Sequence, residues 1–375
     1  MKEIYLDCAA TTRVSDVVQR TIAIAMCDDW YNPSSLYSPG FRESVKIKEA
    51  REEVANSINA NSDEIIFTSS GSEANNLAIK GYLAEHKDTY IYITPVEHKS
   101  VILCAETSET FSYIELDENG FVDTDKLIKQ LAGTPHMPKI VSVQMVNNET
   151  GIIQPVSKIA EIVHSYHGVL HVDAVQAYPH MKIDVKKYGI DMMSVSGHKF
   201  GCPKGIGFLY KNKDIQIKPL INGSQENGMR GGTENIPYIL GMSAAVTIRN
   251  RSISHGMISE IYDLRTRFEE CLERIGCRIN FRGRAAIPTI ISCTLPEGCI
   301  GEYVIGALGL RNIYISAGSA CNRGARSYVL KELGFSDDEI QRTIRISFDH
   351  SLEYGQIKVV CENIAEIISS NMKTK

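Results

Sequence analysis

The chain has 375 residues, 43% of them hydrophobic and 23% charged, with a formal net charge of -5. These are ordinary values for a globular protein whose length suits two domains around a shared cleft. No basic block points to nucleic acid, and no apolar run approaches the roughly 20 residues needed to span a bilayer.

The opening MKEIYLDCAATT has no apolar signal core and carries Asp7 early, so a cytoplasmic location is expected. The ten cysteines are scattered without a CxxC pair. Neither a disulfide framework nor a metal site is expected from them, and most read as reduced, buried, small hydrophobes.

Along the chain, residues 42–58 have helical apolar spacing with dense charge. EIIFT at 64–68 reads as a buried strand, and the turn SSGSEANN opens a helix that runs to about Glu85. Strand-like YIYIT (90–94) precedes helix-like HKSVILCAE, and strand-like KIVSVQM (139–145) precedes the helical SKIAEIVHSYH. GVLHVDA (168–174) and DMMSVS (191–196) read as further strands. This alternation predicts an α/β fold with a mainly parallel sheet covered on both faces. Ligands in such folds bind beyond the carboxyl ends of the strands. A long helical stretch over roughly 235–275 then leads to strand-like IPTIISCTL and RTIRISF, which reads as a smaller C-terminal α/β domain. The expected division is 16–250 for the large domain, with 1–15 and 251–375 forming the small one.

Asp173 ends a predicted strand and Asn148 and Lys199 each follow one, so all three lie at the carboxyl end of a strand. Singly, an Asp after a strand is usually a cap and a loop lysine is usually solvated. Together they match what pyridoxal phosphate (PLP) chemistry requires. A lysine amine must hold the aldehyde, and a carboxylate must keep the pyridine nitrogen protonated. A helix N-terminus must hold the phosphate, and Ser70-Gly71-Ser72 opens a helix after a strand, although SSGSE also reads as an ordinary capping box.

The motifs then carry a resemblance. YLDCAATT, NPSS (32–35), FTSSGSEANNLAIKG, EHK (97–99), VNNETG, HVDAVQ, SGHK, GCPKGIG, GMRGGTEN, SAGSAC and IRIS follow one another over nearly the whole chain. In this order they resemble the cysteine desulfurases of the NifS and IscS type, within the class V aminotransferases. The resemblance implies a PLP-dependent transferase of fold type I. It implies that Lys199 holds the cofactor, Asp173 pairs with the ring nitrogen, Gln176 donates to the ring hydroxyl, and His98 stacks on the ring and moves protons. Gly71, Ser72, Ser196 and His198 match the phosphate cup. Thr233 matches a residue that reaches the phosphate of a second subunit, which implies a homodimer. Asn148 and Arg345 match the clamp on the substrate carboxylate, with Asn32 nearby, and Cys321 matches the persulfide cysteine.

The implied activity is removal of sulfur from L-cysteine, giving L-alanine and a Cys321 persulfide for an acceptor protein, as in iron–sulfur cluster assembly. The alternatives are a selenocysteine lyase or another class V lyase or aminotransferase, and aminotransfer would yield a keto acid in place of alanine. A non-catalytic scaffold would be expected to lose Lys199 or Asp173, and both are present. Four features depart from the family pattern. Tyr37 replaces a histidine, Asp349 replaces a glycine, the stretch after Cys321 is about two residues short, and the longer C-terminal tail is lacking. Arg323 and Arg326, close to Cys321, are expected either to be solvated or to favour its thiolate and steer an acidic acceptor.

Overall fold

The computed structural model describes residues 3–254, 256–282, 285–318 and 326–373. In chain order its strands are β1 (Ile4–Tyr5), β2 (Ile65–Thr68), β3 (Tyr90–Ile93), β4 (Phe111–Tyr113), β5 (Lys139–Gln144), β6 (Val169–Asp173), β7 (Met192–Ser196), β8 (Gly207–Lys211), β9 (Arg278–Ile279), β10 (Ile290–Thr294), β11 (Ile313–Tyr314) and β12 (Thr343–Ser347). The helices that matter below are α1 (Asp16–Asp28), α2 (Ser38–Asn56), α3 (Gly71–Glu85), α4 (Lys99–Ala105), α5 (Thr124–Ala132) and α6 (Val156–Ser165).

A seven-stranded sheet runs in the order β2-β8-β7-β6-β5-β3-β4. Its strands are parallel except β8, which is antiparallel to both neighbours. β5, β6 and β7 are buried at every position, the pattern of strands covered on both faces. One face packs Val141, Val143, Leu170, Val172, Met193 and Val195 with residues of α2 and α6. The other packs Ile91, Ile93, Ile140 and Met192 against Leu77, Ala78 and Val101 of α3 and α4.

Because β2, β3, β5, β6 and β7 run the same way, their carboxyl ends share one edge. The turns into α3 and α4, the loop after β5 and the loops after β6 and β7 therefore converge there. The expected 235–275 stretch is two helices, Ile236–Ser254 and Met257–Arg274, parted at Gly256, whose φ of +79° falls in the left-handed region that favours glycine.

A second core gathers Leu6, Phe268, Leu272, Ile291, Ile344, Ile346, Phe348 and Ile364 around the antiparallel sheet β12-β10-β9 and the parallel pair β1-β11. The N-terminal segment spans both cores. Ile4 and Tyr5 pair with Ile313 and Tyr314, Ser347 N donates to Leu6 O at 2.8 Å, and Thr12 N donates to His198 O at 2.9 Å. Among the described residues, no helix is long and apolar enough to cross a membrane.

Candidate active site

The convergent strand ends enclose a cavity of about 230 Å³. It is lined by Gly71, Ser72, His98, Asn148, Asp173, Gln176, Ser196, His198, Lys199 and Arg345. Ten of the thirteen residues singled out in the sequence thus share one pocket. Asn32 lies instead in an exposed turn, where its Oδ1 accepts from Ser34 N at 2.9 Å. Thr233 lines a separate cavity of about 240 Å³ with Ser69, Gly205, Gln225 and Arg230. Cys321 and Arg323 lie outside the described residues.

The pocket floor is a carboxylate. Asp173 closes β6, is 1% exposed, and accepts from Asn75 Nδ2 at 2.8 Å and Val175 N at 3.0 Å. Asn75 projects from α3 and also donates to Ser100 Oγ at 2.9 Å, while its buried Oδ1 has no hydrogen-bond partner among the described residues. A second wall is the first turn of α3, where Ser70 Oγ caps Glu73 N at 3.1 Å. The backbone approaches closely here, since a Cβ on Gly71 would lie 2.7 Å from Val175 Cγ2. Amides at a helix start beside a small residue form a ready anion cradle.

His98 caps α4: its Nδ1 accepts from Ser100 N at 3.2 Å and lies 2.7 Å from Ser100 Oγ. Burial lowers its pKa, opposed by Asp173 and assisted by Lys199, so the ring is held neutral near pH 7. Beneath it, Glu97 is fully buried and accepts at Oε1 from Thr94 Oγ1 (2.6 Å) and Gln144 N (2.8 Å). Burial pushes the Glu97 carboxyl up to about 8 against those two bonds, with Asp173 adding to the rise.

Lys199 ends the short turn after β7. Its Nζ donates to Ala9 O at 2.6 Å and Ala10 O at 2.9 Å, and Gln176 Nε2 donates to the same Ala9 O at 2.8 Å. Beside it, His198 Nδ1 lies 3.1 Å from Thr11 Oγ1. Burial, with Lys199 and Lys204, brings the His198 pKa down to about 4. The Ala9-Ala10-Thr11 backbone is therefore part of the site.

Opposite stands Arg345 on β12, 2% exposed. Its Nη1 donates to Asn148 O at 2.8 Å and its Nη2 to Asp7 Oδ1 at 2.7 Å, while Nε has no partner among the described residues. Asn148 Oδ1 accepts from Gln144 Nε2 at 3.2 Å. A buried guanidinium beside an amide at the mouth of a pocket suits a small carboxylate. The residues that sequence reasoning missed are Asn75, Ser100, Gln144, Glu97 and Asp7. All five sit inside recognised motifs or within a residue or two of them, but only the burial of Asn75, Glu97 and Gln144 and the bonds made by half-buried Asp7 and Ser100 distinguish them from solvated polar groups.

The departures from the family pattern are local. Tyr37 is exposed and precedes α2, with its ring edge-on to Tyr31 at 6.2 Å. Asp349 Oδ1 accepts from Ser351 N (2.8 Å) and Oγ (2.6 Å), closing its own turn. Arg326 forms an exposed ion pair with Asp337.

The chain matches the class-V aminotransferase family over residues 4–360. It is 35% identical to the putative cysteine desulfurase IscS 1 of Bacillus subtilis, over 98% of this chain and 99% of that protein. A solved NifS-like protein from Rickettsia africae superposes with a TM-score of 0.90 at 32% identity, covering 98% and 99% of the two chains. SspA, solved in complex with cysteine, gives 0.79 at 31% identity, over 92% and 98%. The convergent pocket and these likenesses agree: the chain belongs to the cysteine desulfurases of the class-V aminotransferase family, whose members are PLP-dependent.

Proposed function

We propose that this chain is a cysteine desulfurase that converts L-cysteine to L-alanine and leaves the sulfur as a persulfide on Cys321. The observation that carries the reading is the grouping of Lys199, Asp173, His98 and Arg345 around one pocket at the strand ends.

The residues present fit PLP. The Gly71 cradle would hold its phosphate, Asp173 would keep its ring nitrogen protonated, and the Lys199 amine would take its aldehyde. When bound, PLP supplies the electron sink that weakens bonds at the substrate Cα and Cβ. The chain's own groups do the rest. Arg345 and Asn148 take the substrate carboxylate, in which case Arg345 exchanges its contact with Asp7 for the ligand. Neutral His98 and Lys199 are the bases that move a proton at Cα. In sulfur transfer the Cys321 thiolate attacks the substrate sulfur. The C–S bond breaks, an S–S bond forms, and the freed carbon takes up a proton, so cysteine and thiol give alanine and persulfide.

The division into a large domain of residues 16–250 and a small domain of 1–15 with 251–375 is supported by the second core, which draws only on small-domain residues, while Ala9, Ile287 and Ile290 pack into the large core. A homodimer is the proposed assembly, with Thr233 completing the partner's site, and a protein acceptor is the proposed sulfur recipient. The test is alanine and persulfide yield with L-cysteine. Lys199→Ala should lose both together with the yellow, borohydride-reducible absorbance. Cys321→Ser should keep the absorbance and its response to cysteine but release almost no alanine. Near-normal sulfide release from Cys321→Ser would replace the reading with a lyase that eliminates without persulfide.

A further inference from the structure

The described chain on the two sides of Cys321 meets one buried carboxylate. Glu149, in the loop that also carries Asn148, is 2% exposed. Its Oε2 accepts from Ser327 Oγ at 2.5 Å, six residues beyond Cys321. Gly318, three residues before Cys321, lies against the same oxygen: a Cβ there would sit 2.7 Å from Oε2, and φ is +122°. The backbone can pass this close only as glycine.

The neighbours of these two residues are fixed as well. Ser316 and Arg345 exchange backbone hydrogen bonds, at 2.6 Å for Arg345 N to Ser316 O and 3.1 Å for the reverse. Tyr328 O–H donates to Glu97 O at 2.5 Å. Glu149 itself is held from behind, since its N donates to Asn147 Oδ1 at 2.9 Å. Its Oε1 has no partner among the described residues. A carboxylate kept in the interior with half its capacity unused costs stability, so its place calls for a role beyond packing.

We infer that Glu149 is a positioning residue for sulfur transfer: through Ser327 it ties the chain after Cys321 to the loop that carries Asn148, and the chain before Cys321 packs against the same carboxylate at Gly318. This rests on the desulfurase reading and deepens it. Attack on the substrate sulfur is intramolecular once cysteine is bound, and its rate depends on how closely the two sulfurs are held. A displacement of about 1 Å can cost on the order of 100-fold. Glu149 touches neither substrate nor cofactor, so its loss should spare binding and slow the transfer.

The experiment compares Glu149→Ala, Glu149→Gln and Ser327→Ala holoenzymes in steady-state alanine formation. In Glu149→Ala the cofactor absorbance and the KM for cysteine should stay within about twofold of wild type, while kcat falls at least about tenfold. Glu149→Gln keeps an acceptor for Ser327 and should recover most of that loss. Ser327→Ala removes the tether from the loop side alone, which keeps the test available if Glu149→Ala does not fold, and its kcat should fall with KM unchanged. An unchanged kcat in Ser327→Ala and Glu149→Ala, or a loss carried by KM, overturns the inference. Cys321→Ser run alongside separates the two ideas. Full activity there defeats the desulfurase reading, whereas dependence on Cys321 with indifference to Glu149 defeats only the tether.

Discussion

Arg345 is a charge that the fold buries and then leaves one step short of satisfied, with two partners and a bare Nε among the described residues. A charge-assisted bond of this kind contributes about 1.5–3 kcal/mol. Arg345→Lys keeps the charge but loses the planar fork. It should raise the KM for cysteine about 10- to 100-fold with a smaller change in kcat, read by steady-state kinetics. Glu97 makes a second prediction. Its carboxyl is held protonated to about pH 8 in the fold but ionises near 4.5 when unfolded. The folded pKa is the higher one, so the contribution is complete below pH 4.5 and is lost as pH rises towards 8. By pH 7 this amounts to about 3 kcal/mol. Glu97→Gln mimics the protonated form, and its urea midpoint should fall less than that of wild type between pH 5 and 8. Asn148, Asp173 and Lys199 are legible in sequence because each lies at or shortly beyond the carboxyl end of a strand. Glu97 and Glu149 are not, because a glutamate beside a motif reads as solvated until long-range packing covers it.

Among elements, α3 shows how a helix start becomes a binding surface. Its first turn lies against Val175 and Ser196, from the ends of two other strands, and only the missing Cβ of Gly71 leaves room. Gly71→Ala should therefore shift the turn and weaken cofactor binding by at least about tenfold, measured by absorbance titration, with thermal stability changing little. Wild-type affinity in this variant would separate the turn from the anion. The same scale explains what the sequence concealed. The connection between β7 and β8, residues 197–206, is too short for a crossover, so β8 must turn back antiparallel. Its apolar GFLYK resembles a parallel core strand when read without that link. The two-residue strands β1, β9 and β11 are too short to show any period, and the break at Gly256 hides inside continuous helical spacing.

At the scale of the molecule, the residues leading into α2 and its first turn expose more apolar surface than a lone chain needs. Trp30 is 70%, Leu36 102% and Phe41 65% exposed, and Asn32 lies among them. Contiguous exposed apolar surface marks an interface. The proposed homodimer gives it a partner and accounts for Asn32 and Thr233 standing outside the pocket. Leu36→Asp combined with Phe41→Asp should turn a dimer into a monomer in sedimentation velocity and weaken cofactor retention. A wild-type monomer with full cofactor affinity would defeat the proposal.

The segment that joins the two cores also imposes an order of events on folding. Asp7 and Arg345 are 338 residues apart in sequence, and Ala9 and Ala10 wait for Lys199. Residues synthesised first thus find their partners last, and contacts of such separation close slowly. The large sheet can form before the pocket exists. Helical and strand ellipticity should recover ahead of cofactor capture on dilution from urea, and during synthesis capture must wait until residue 347 has left the ribosome.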